Sequence, residues 1–476
     1  MTSLIRAFQG QLRKMLLLSG PILISQYAYL ASGVVDTVMS GKLGTVDQAG
    51  VAVGAAVWIP VQMFITGTLY GFLILLSQVF GSDKLEKLAE LTQQAVWLAL
   101  ILGGLFGLLL WLLAPGLPVF GTAPEVAAKA SDYLRFLVWG LPFSSTAIAL
   151  RFFCDGQQNV VPATVIAIVT VLINILLNYG LMFGRFGLPD MGVRGCGLAT
   201  SISMVISAIF FAAYVSWTPR YRQTRPLATF YRPVAARIKH IFSTGLPIGC
   251  ALVSEFLVLT FIAICISSRG AVDSASHQIA FNFMMILFAM PTSVSMASSI
   301  MVAGEHGAGN ISGKREVVLC SISLGAALGL VLTFLMYFSA HTVAGLYSHD
   351  PQVIALATSL LMVAALFQFV DALQICLNGC LRGIEDTVAP FLITSGLYWL
   401  LTLPAGWLLA GMPLPAFLTG LLPDFGVAGW WYALVLGVSL VALALGNRCR
   451  RLFFGPRSST GEQLSPIQEQ LEKTAS

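Results

Sequence analysis

The sequence predicts an all-α polytopic membrane protein with twelve transmembrane helices, arranged as two pseudo-symmetric six-helix lobes around a central cleft. Three observations lead to this prediction: the composition, a series of long apolar runs and an internal duplication. Of the 476 residues, 57% are hydrophobic and only 10% are charged, whereas average globular chains carry about 25% charged residues. A soluble fold is therefore excluded.

The apolar runs set the number of spans, because a helix needs about 20 predominantly apolar residues to cross a bilayer. Twelve runs reach that length. They cover residues 15–40, 51–80, 91–114, 128–153, 160–184, 195–217, 241–268, 274–303, 317–340, 351–381, 387–411 and 425–447. The second run contains no charged residue. The fourth is the weakest, since Lys129, Asp132 and Arg135 lie in its first two turns.

The positions of the basic residues predict the orientation, because cytoplasmic loops of membrane proteins are enriched in lysine and arginine. A cytoplasmic N-terminus places 20 of the 26 basic residues on the cytoplasmic side. The basic residues left outside are Lys42, Lys129, Arg135, Arg185, Arg194 and Arg269. Both termini are therefore predicted to be cytoplasmic.

The chain divides into four predicted units. Residues 1–217 form a first lobe with spans one to six, 218–240 a cytoplasmic linker, 241–447 a second lobe with spans seven to twelve, and 448–476 a disordered cytoplasmic tail. The basic segment 217–240 fits either contact with anionic lipid or a plain connection between the lobes. The plain connection is the favoured interpretation.

An internal duplication relates the two lobes. The segment PDMGVRG (189–195) matches PDFGVAG (423–429) at five of seven positions, 234 residues apart. Further matches at similar separations are 156–162 with 383–390, and Pro21 with Pro247. Because each copy contains six spans, both copies cross the membrane in the same direction. This predicts a parallel repeat about an axis along the membrane normal, with a cleft between the lobes.

Several classes of function are not indicated. The net charge of +5 is spread over short loops rather than massed in a stripe, so a nucleic-acid partner is not expected. The eight cysteines contain no CxxC pair, so neither a disulfide framework nor a structural metal site is predicted. The five histidines lie near span ends, and no arrangement of nucleophile and base is visible. We expect neither an enzyme nor a cofactor.

Acidic residues inside the spans are the candidate functional residues. They are Asp36 in span one, Glu255 in span seven and Asp371 in span ten, with no lysine or arginine at comparable depth. A charge near the bilayer centre costs roughly 2.5–3.5 kcal/mol even on lenient scales. An acid without a basic partner must be protonated, hold a cation, or face water or a cationic ligand. Exchange of one cation for another would couple transport to an ion gradient; a structural ion pair is the less favoured alternative.

Position divides these acids into two sets. Glu255 and Asp371 lie near the middle of second-lobe spans and could together bind a small hard cation. Asp36 lies nearer the outer surface, and its expected polar company is Asn174 and Asn178. These asparagines are four residues apart and so share one helix face. Interhelical hydrogen bonding without a role in transport remains an alternative for them.

These acids, together with several loop signatures, resemble the multidrug and toxic compound extrusion (MATE) family, and its NorM-type bacterial branch in particular. The signatures are LSGPILISQ, VDTVMSGKLG, RFFCDGQQN, NYGLMFGRFGLP and GVRGCGLAT. The resemblance extends to about residue 450. It implies an inner-membrane antiporter that exports cationic or amphiphilic drugs and dyes in exchange for Na⁺ or H⁺ by alternating access, and we expect a monomer.

The resemblance also assigns roles to residues. It implies binding of a cation such as Na⁺ at Glu255 and Asp371, and protonation or cation binding at Asp36, with polar residues of span five nearby. Phe367 departs from the pattern, because some Na⁺-coupled relatives have a tyrosine one turn before the acid of span ten. Without that hydroxyl, a backbone carbonyl or water must replace it, or the coupling ion is a proton.

Other functions remain as alternatives. A flippase for a lipid-linked precursor, from the same superfamily, would be expected to line its cleft with arginine or lysine, whereas only acids lie deep in these spans. An intramembrane enzyme is more remote. A channel is not favoured, because nothing marks a selectivity filter.

Overall fold

The computed structural model of the protein describes residues 2–120, 123–412 and 424–455. Within these residues, twelve helices are long and apolar enough to cross a membrane. In chain order they are α1 (Phe8–Leu43), α2 (Thr45–Gly81), α3 (Glu86–Leu117), α4 (Pro124–Gly156), α5 (Val161–Phe183), α6 (Val193–Trp217), α7 (Ala235–Ser267), α8 (Ala271–Gly307), α9 (Ile311–Tyr347), α10 (Pro351–Gly383), α11 (Val388–Leu409) and α12 (Val427–Phe454). The prediction of an all-α protein with twelve spans is confirmed.

Two of these helices contain an irregular turn, and a proline accounts for each. Helix α4 passes through a short 3₁₀ turn at Val138–Gly140, just before Pro142. Helix α11 passes through a π turn at Tyr398–Thr402, just before Pro404. Proline has no N–H for the carbonyl four residues earlier, and its ring crowds that carbonyl. The wider turn in α11 contains Tyr398, whose side chain is buried inside the second lobe.

Most helices extend a few residues beyond the predicted apolar runs, and two of them cross a predicted boundary between units. Helix α7 begins at Ala235, inside the segment predicted as linker, and α12 continues to Phe454, inside the predicted tail. Cys449 and Phe453 are buried in this extension, so packing against the protein continues the helix past its apolar run. The rest of the tail, 456–476, lies outside the described residues.

The duplication is confirmed by the backbone conformation. Residues with positive φ recur at equivalent places in the two lobes. The pairs are Gly44 and Gly270, Asp83 and Gly309, Gln158 and Glu385, Gly184 and Gly411, and Gly192 and Gly426. Positive φ is uncommon away from glycine, so the agreement of Gln158 (φ 58°) with Glu385 (φ 62°) is informative. The two copies therefore share the shape of their connecting turns as well as their helix count.

The turn before the last helix of each lobe shows the same hydrogen bonds. In the first lobe, the Gly192 N–H donates to Asp190 Oδ1 at 3.3 Å. In the second, the Gly426 N–H donates to Asp424 Oδ1 at 2.7 Å. The repeated Asp-x-Gly sequence thus encodes one turn used twice; Pro423 of the second copy lies outside the described residues.

The lobes meet where α2 crosses α7, and glycines make this crossing possible. A Cβ atom added to Gly67 would lie 2.5 Å from the Cα of Gly249, and one added to Gly245 would overlap the carbonyl oxygen of Thr68. Gly67 and Gly71 on α2 therefore face Gly245 and Gly249 on α7 with the backbones in direct contact. Paired small residues four apart are typical of closely packed transmembrane helices.

Contacts between the lobes concentrate at the end where α1 begins and α12 ends, which we call the terminal end. Met15 and Ile300, from different lobes, belong to one continuous buried cluster. At the opposite end, Leu110, Tyr133 and Cys196 form a separate cluster built from the first lobe alone. The lobes therefore share one core at the terminal end, whereas the first lobe has a core of its own toward the opposite end, where the predicted cleft would lie.

The linker after α6 is fixed to the first lobe rather than free. The side chain of Gln93 on α3 donates to the carbonyl of Pro226 at 2.7 Å and accepts from the N–H of Tyr231 at 2.6 Å. Its neighbour Gln94 donates to the carbonyl of Arg232 at 2.9 Å. These amides replace the water that would otherwise solvate the linker backbone, so the linker follows the surface of α3.

Candidate cation site

The acid of the first lobe sits in a small hydrogen-bonded network between α1 and α5. The amide nitrogen of Asn178 donates to Asp36 Oδ1 at 2.6 Å, and it also lies 3.2 Å from Asn174 Oδ1. The hydroxyl of Ser32, one turn before Asp36, donates to Asn174 Oδ1 at 3.1 Å. Both asparagines are buried, whereas Asp36 is half-buried. The structure thus brings together the three residues predicted for this lobe and adds Ser32.

The helical repeat explains this arrangement. Ser32 and Asp36 are four residues apart on α1, and Asn174 and Asn178 are four apart on α5, so each pair forms one polar strip on its helix. The two strips face each other, so that Asp36 has lost much of its water but has gained an amide donor in exchange.

The second lobe brings Glu255 of α7 close enough to Asp371 of α10 for the two carboxyl groups to interact electrostatically. Asp371 is fully buried, while Glu255 is half-buried. Within the described part of the chain, neither oxygen of Asp371 has a hydrogen-bond partner. Two acids therefore share one site in which the deeper one has no protein donor.

Other polar groups on α10 surround Asp371. Gln368 and Gln374 lie one turn before and one turn after it on the same helix face, and both are buried. The side-chain oxygens of both glutamines also have no hydrogen-bond partner among the described residues. Asn378 continues the same face toward the terminal end. Sequence reasoning singled out only the charged member of this face, although the neutral members stand in the same run, FQFVDALQICLNG.

A tyrosine from α11 completes the surroundings of the acid pair. Tyr398, in the π turn, is buried and interacts electrostatically with both Glu255 and Asp371. The indole N–H of the next residue, Trp399, donates to the hydroxyl of Ser254 at 2.9 Å, which holds this turn beside the helix of Glu255. Sequence reasoning missed Tyr398, because no spacing rule relates residues so far apart in the chain.

Phe367 is buried one turn before Asp371. Its ring offers no oxygen, whereas Tyr398 carries a hydroxyl and interacts electrostatically with both acids.

The expectation that no basic side chain reaches the deep acids is wrong for Glu255. Arg382, at the end of α10, interacts electrostatically with Glu255, and its guanidinium lies 5.6 Å from the ring centre of Tyr70. Among the described residues, however, no ion pair within 4.0 Å joins Arg382 to Glu255 or Asp371. Sequence position gives the depth of a Cα atom, but a long arginine side chain extends well away from it.

The structure also contains a deep acid that sequence reasoning did not single out. Asp155, near the end of α4, is fully buried and pairs with Arg151 at 3.2 Å. Its partner lies four residues earlier on the same helix. Asp155 is therefore an example of the structural ion pair that Glu255 and Asp371 do not form.

The chemistry of the acid pair suits a proton or a hard cation. Two carboxylates close together repel each other in a medium of low polarity, and hard cations prefer oxygen ligands. Carboxylate oxygens, unpartnered glutamine oxygens and a tyrosine hydroxyl all surround this site. The described residues contain no cluster of three or more His, Cys, Asp or Glu side chains placed to hold a metal ion.

Comparisons with known proteins agree with this architecture. The MatE family model matches residues 21–180 and 247–408, one segment in each lobe. A curated relative, the multidrug resistance protein MdtK of Pectobacterium atrosepticum, is 35% identical over 445 residues, covering 92% of this chain and 95% of the relative.

Solved structures show the same fold. The eukaryotic MATE transporter AtDTX14 superposes with a TM-score of 0.82 at 21% identity, covering 98% of both chains. A MOP superfamily transporter from Pyrococcus furiosus, described as having a binding pocket of reverse polarity that suggests a different function, superposes with a TM-score of 0.83 at 18% identity, covering 93% of this chain and 96% of that one.

Proposed function

This chain belongs to the MATE family, and we propose that it is a multidrug efflux antiporter that exports cationic or amphiphilic drugs and dyes in exchange for Na⁺ or H⁺. Its relative MdtK is named for multidrug resistance. The observation that carries the coupling part of the proposal is the acid pair Glu255 and Asp371, which has no ion-pair partner within 4.0 Å among the described residues. Such a pair needs a mobile positive charge.

The ion neutralises the pair and thereby changes which arrangement of the lobes is favoured. Unneutralised, Glu255 and Asp371 repel each other, and hydration of the cleft relieves the repulsion. When Na⁺ or a proton is bound, excluding water from around the pair costs less free energy. A positively charged drug in the cleft competes electrostatically with the incoming ion, so one species leaves as the other binds.

Rocking of the two lobes would supply alternating access. The joined terminal end and the cleft toward the opposite end describe one extreme of this motion. The glycine-lined crossing of α2 and α7 is where the lobes must separate in the other extreme, because the backbones of Gly67 and Gly249 touch there.

We further propose that the protein lies in the bacterial inner membrane with both termini in the cytoplasm. The distribution of lysine and arginine supports this orientation. The terminal end is then cytoplasmic, the cleft opens to the outside, and the ion enters the acid pair from the outer side.

Two other functions fit the observations less well. A flippase for an anionic lipid-linked precursor needs basic residues in the cleft, whereas Glu255 and Asp371 would repel a pyrophosphate group. An enzyme is disfavoured because the buried histidine His277 packs against the rings of Phe281 and Trp431, and its Nδ1 has no hydrogen-bond partner among the described residues.

The proposal is tested by transport in proteoliposomes that carry either a Na⁺ gradient or a pH gradient, but not both. A fluorescent cationic dye such as ethidium serves as the exported substrate. We expect dye movement against its gradient with one of these ions and none when both gradients are collapsed. Dye movement that ignores both gradients would contradict antiport.

A further inference from the structure

A groove on the lipid-facing surface of the first lobe lies outside the machinery described above. It runs between α5 and α6 at the terminal end and has a volume of about 470 Å³. Its walls are formed by Ile166, Phe210, Ala213, Tyr214 and Trp217. From Phe210 to Trp217 the groove extends about 10 Å along α6, at 1.5 Å per residue. It is therefore a shallow, open and mainly apolar groove that runs along the helix.

Two positively charged side chains follow the end of this groove in the chain. Arg220 and Arg222 follow α6 directly, and both are exposed. Among the described residues, neither has a carboxylate within 4.0 Å. An arginine fork matches the oxygens of a phosphate group well.

The two arginines are held in place by the residue between them. Tyr221 is buried, and its hydroxyl accepts a hydrogen bond from Asn159 Nδ2 at 2.7 Å. The same nitrogen lies 3.3 Å from the hydroxyl of Tyr214, which lines the groove. The backbone that carries Arg220 and Arg222 is therefore fixed relative to the groove.

We propose that this groove binds one acyl chain of an anionic phospholipid, and that Arg220 and Arg222 bind the phosphate of its headgroup. The depth of the site supports this occupant. Trp217 is 81% exposed at the end of its transmembrane helix, which is where tryptophan meets the headgroup layer of a bilayer. The apolar groove on the membrane side matches the acyl chain of such a lipid. The guanidinium groups on the water side match its phosphate.

The charge of the headgroup selects among lipids. The phosphate of a zwitterionic lipid could also reach the arginines, but its ammonium group would then approach two positive charges. A headgroup with net negative charge, such as phosphatidylglycerol, avoids this repulsion, so it is the preferred occupant.

The test is native mass spectrometry of the purified full-length protein with phosphatidylglycerol or phosphatidylcholine of identical acyl chains. We expect one tightly retained phosphatidylglycerol. The double variant Arg220→Gln/Arg222→Gln should bind it about 30-fold more weakly, the loss expected for two basic contacts. The matched control is Arg225→Gln/Arg232→Gln, which removes the same charge farther along the linker and should bind as the unaltered protein does.

A second arm tests the groove rather than the charge. Ala213→Trp fills the groove and keeps both arginines, so it should lose the retained lipid. Free sn-glycerol 3-phosphate, added to the unaltered protein, should not displace the lipid. Equal affinity for the two lipids, equal binding by the two double variants, or displacement by free glycerol phosphate at the affinity of the lipid would each overturn the proposal.

Discussion

The two lobes hold their acids in different surroundings, although one duplicated fold carries both. In the first lobe, Asp36 is half-buried and accepts a hydrogen bond from Asn178 at 2.6 Å. In the second, Asp371 is fully buried beside Glu255, and neither of its oxygens has a partner among the described residues. An amide donor compensates part of the water that Asp36 has lost, whereas no hydrogen-bond donor in the described part of the chain does so for Asp371.

This difference separates two roles. A carboxylate that accepts hydrogen bonds from neutral donors can keep the same hydrogen-bond partners throughout a transport cycle. Two carboxylates that interact electrostatically, one of them without a donor among the described residues, depend on a mobile cation to be stable in a dry site. Asp155, which pairs with Arg151 at 3.2 Å, shows the third case, in which a fixed counter-charge removes the need for an ion. We therefore assign ion coupling first to the second lobe.

The largest expected effect comes from removing the charge of the acid pair. Glu255→Gln and Asp371→Asn should each abolish ion-coupled dye efflux in proteoliposomes while leaving expression intact. The amide carries no negative charge, so it cannot take up the coupling ion as the carboxylate does. The matched control is Glu125→Gln, which makes the same change at an exposed acid and should transport normally. Undiminished transport by both second-lobe variants would defeat the assignment.

A smaller loss is expected in the first lobe. Asp36→Asn removes a charge-assisted hydrogen bond, which is worth about 1.5–3 kcal/mol, so efflux should fall by about tenfold or more without being abolished. The measurement is the initial rate of dye efflux at saturating ion gradient. Normal export by this variant would reduce Asp36 to a structural role, and complete loss would erase the distinction between the lobes.

Tyr398 offers a more conservative change beside the acid pair. Tyr398→Phe keeps the ring and removes only the hydroxyl, so the apparent affinity for the coupling ion should fall by about threefold to tenfold, the range for one hydrogen bond. Maximal efflux should be retained at high ion concentration. Tyr179→Phe, at an exposed tyrosine of α5, is the matched control. An unchanged ion dependence would mean that the hydroxyl takes no part in the site.

The smallest expected effect concerns pH. It comes from a group outside the spans whose titration should not be mistaken for proton coupling. Glu385 lies outside the spans, beside His240 at 3.5 Å, and burial raises its pKa to about 7, with Gln78 of the other lobe partly opposing the shift. Because this pKa lies above that of an exposed glutamate, the proton is held more tightly in the closed terminal end. The closed arrangement is thus fully favoured below the ordinary glutamate pKa of about 4.5, and it loses that advantage as the pH rises from there through about 7.

Glu385→Gln should remove this pH dependence while leaving ion-coupled efflux in place. The measurement is the apparent melting temperature of the protein at pH 6 and pH 8.5, which should differ by a few degrees for the unaltered chain and by less for the variant. An identical difference in both proteins would show that another group titrates.

The fold was largely predictable because each signal is local. Twelve apolar runs specify twelve helices, and the Asp-x-Gly turn at Gly192 and Gly426 reveals the duplication. The acids Asp36, Glu255 and Asp371 stand out for the same reason, since a charge inside an apolar run is visible without knowing what it faces.

The surroundings of those acids were less predictable, because they depend on which helix faces touch. Gln368 and Gln374 are neutral and carry no distinctive signal. Tyr398 reaches the site through a π turn set by Pro404, and Arg382 reaches toward Glu255 by the length of its side chain. Each of these requires the packing of two distant segments, which sequence periodicity does not specify.

The central claim is that a mobile cation, held by Glu255 and Asp371, is displaced when drug binds. It is tested by adding ethidium to purified protein equilibrated with radioactive ²²Na⁺, while the release of both Na⁺ and protons is recorded. We expect one of these ions to be released from the unaltered protein and from Asp36→Asn, and neither from Glu255→Gln/Asp371→Asn. Undiminished release from that double variant would contradict the account.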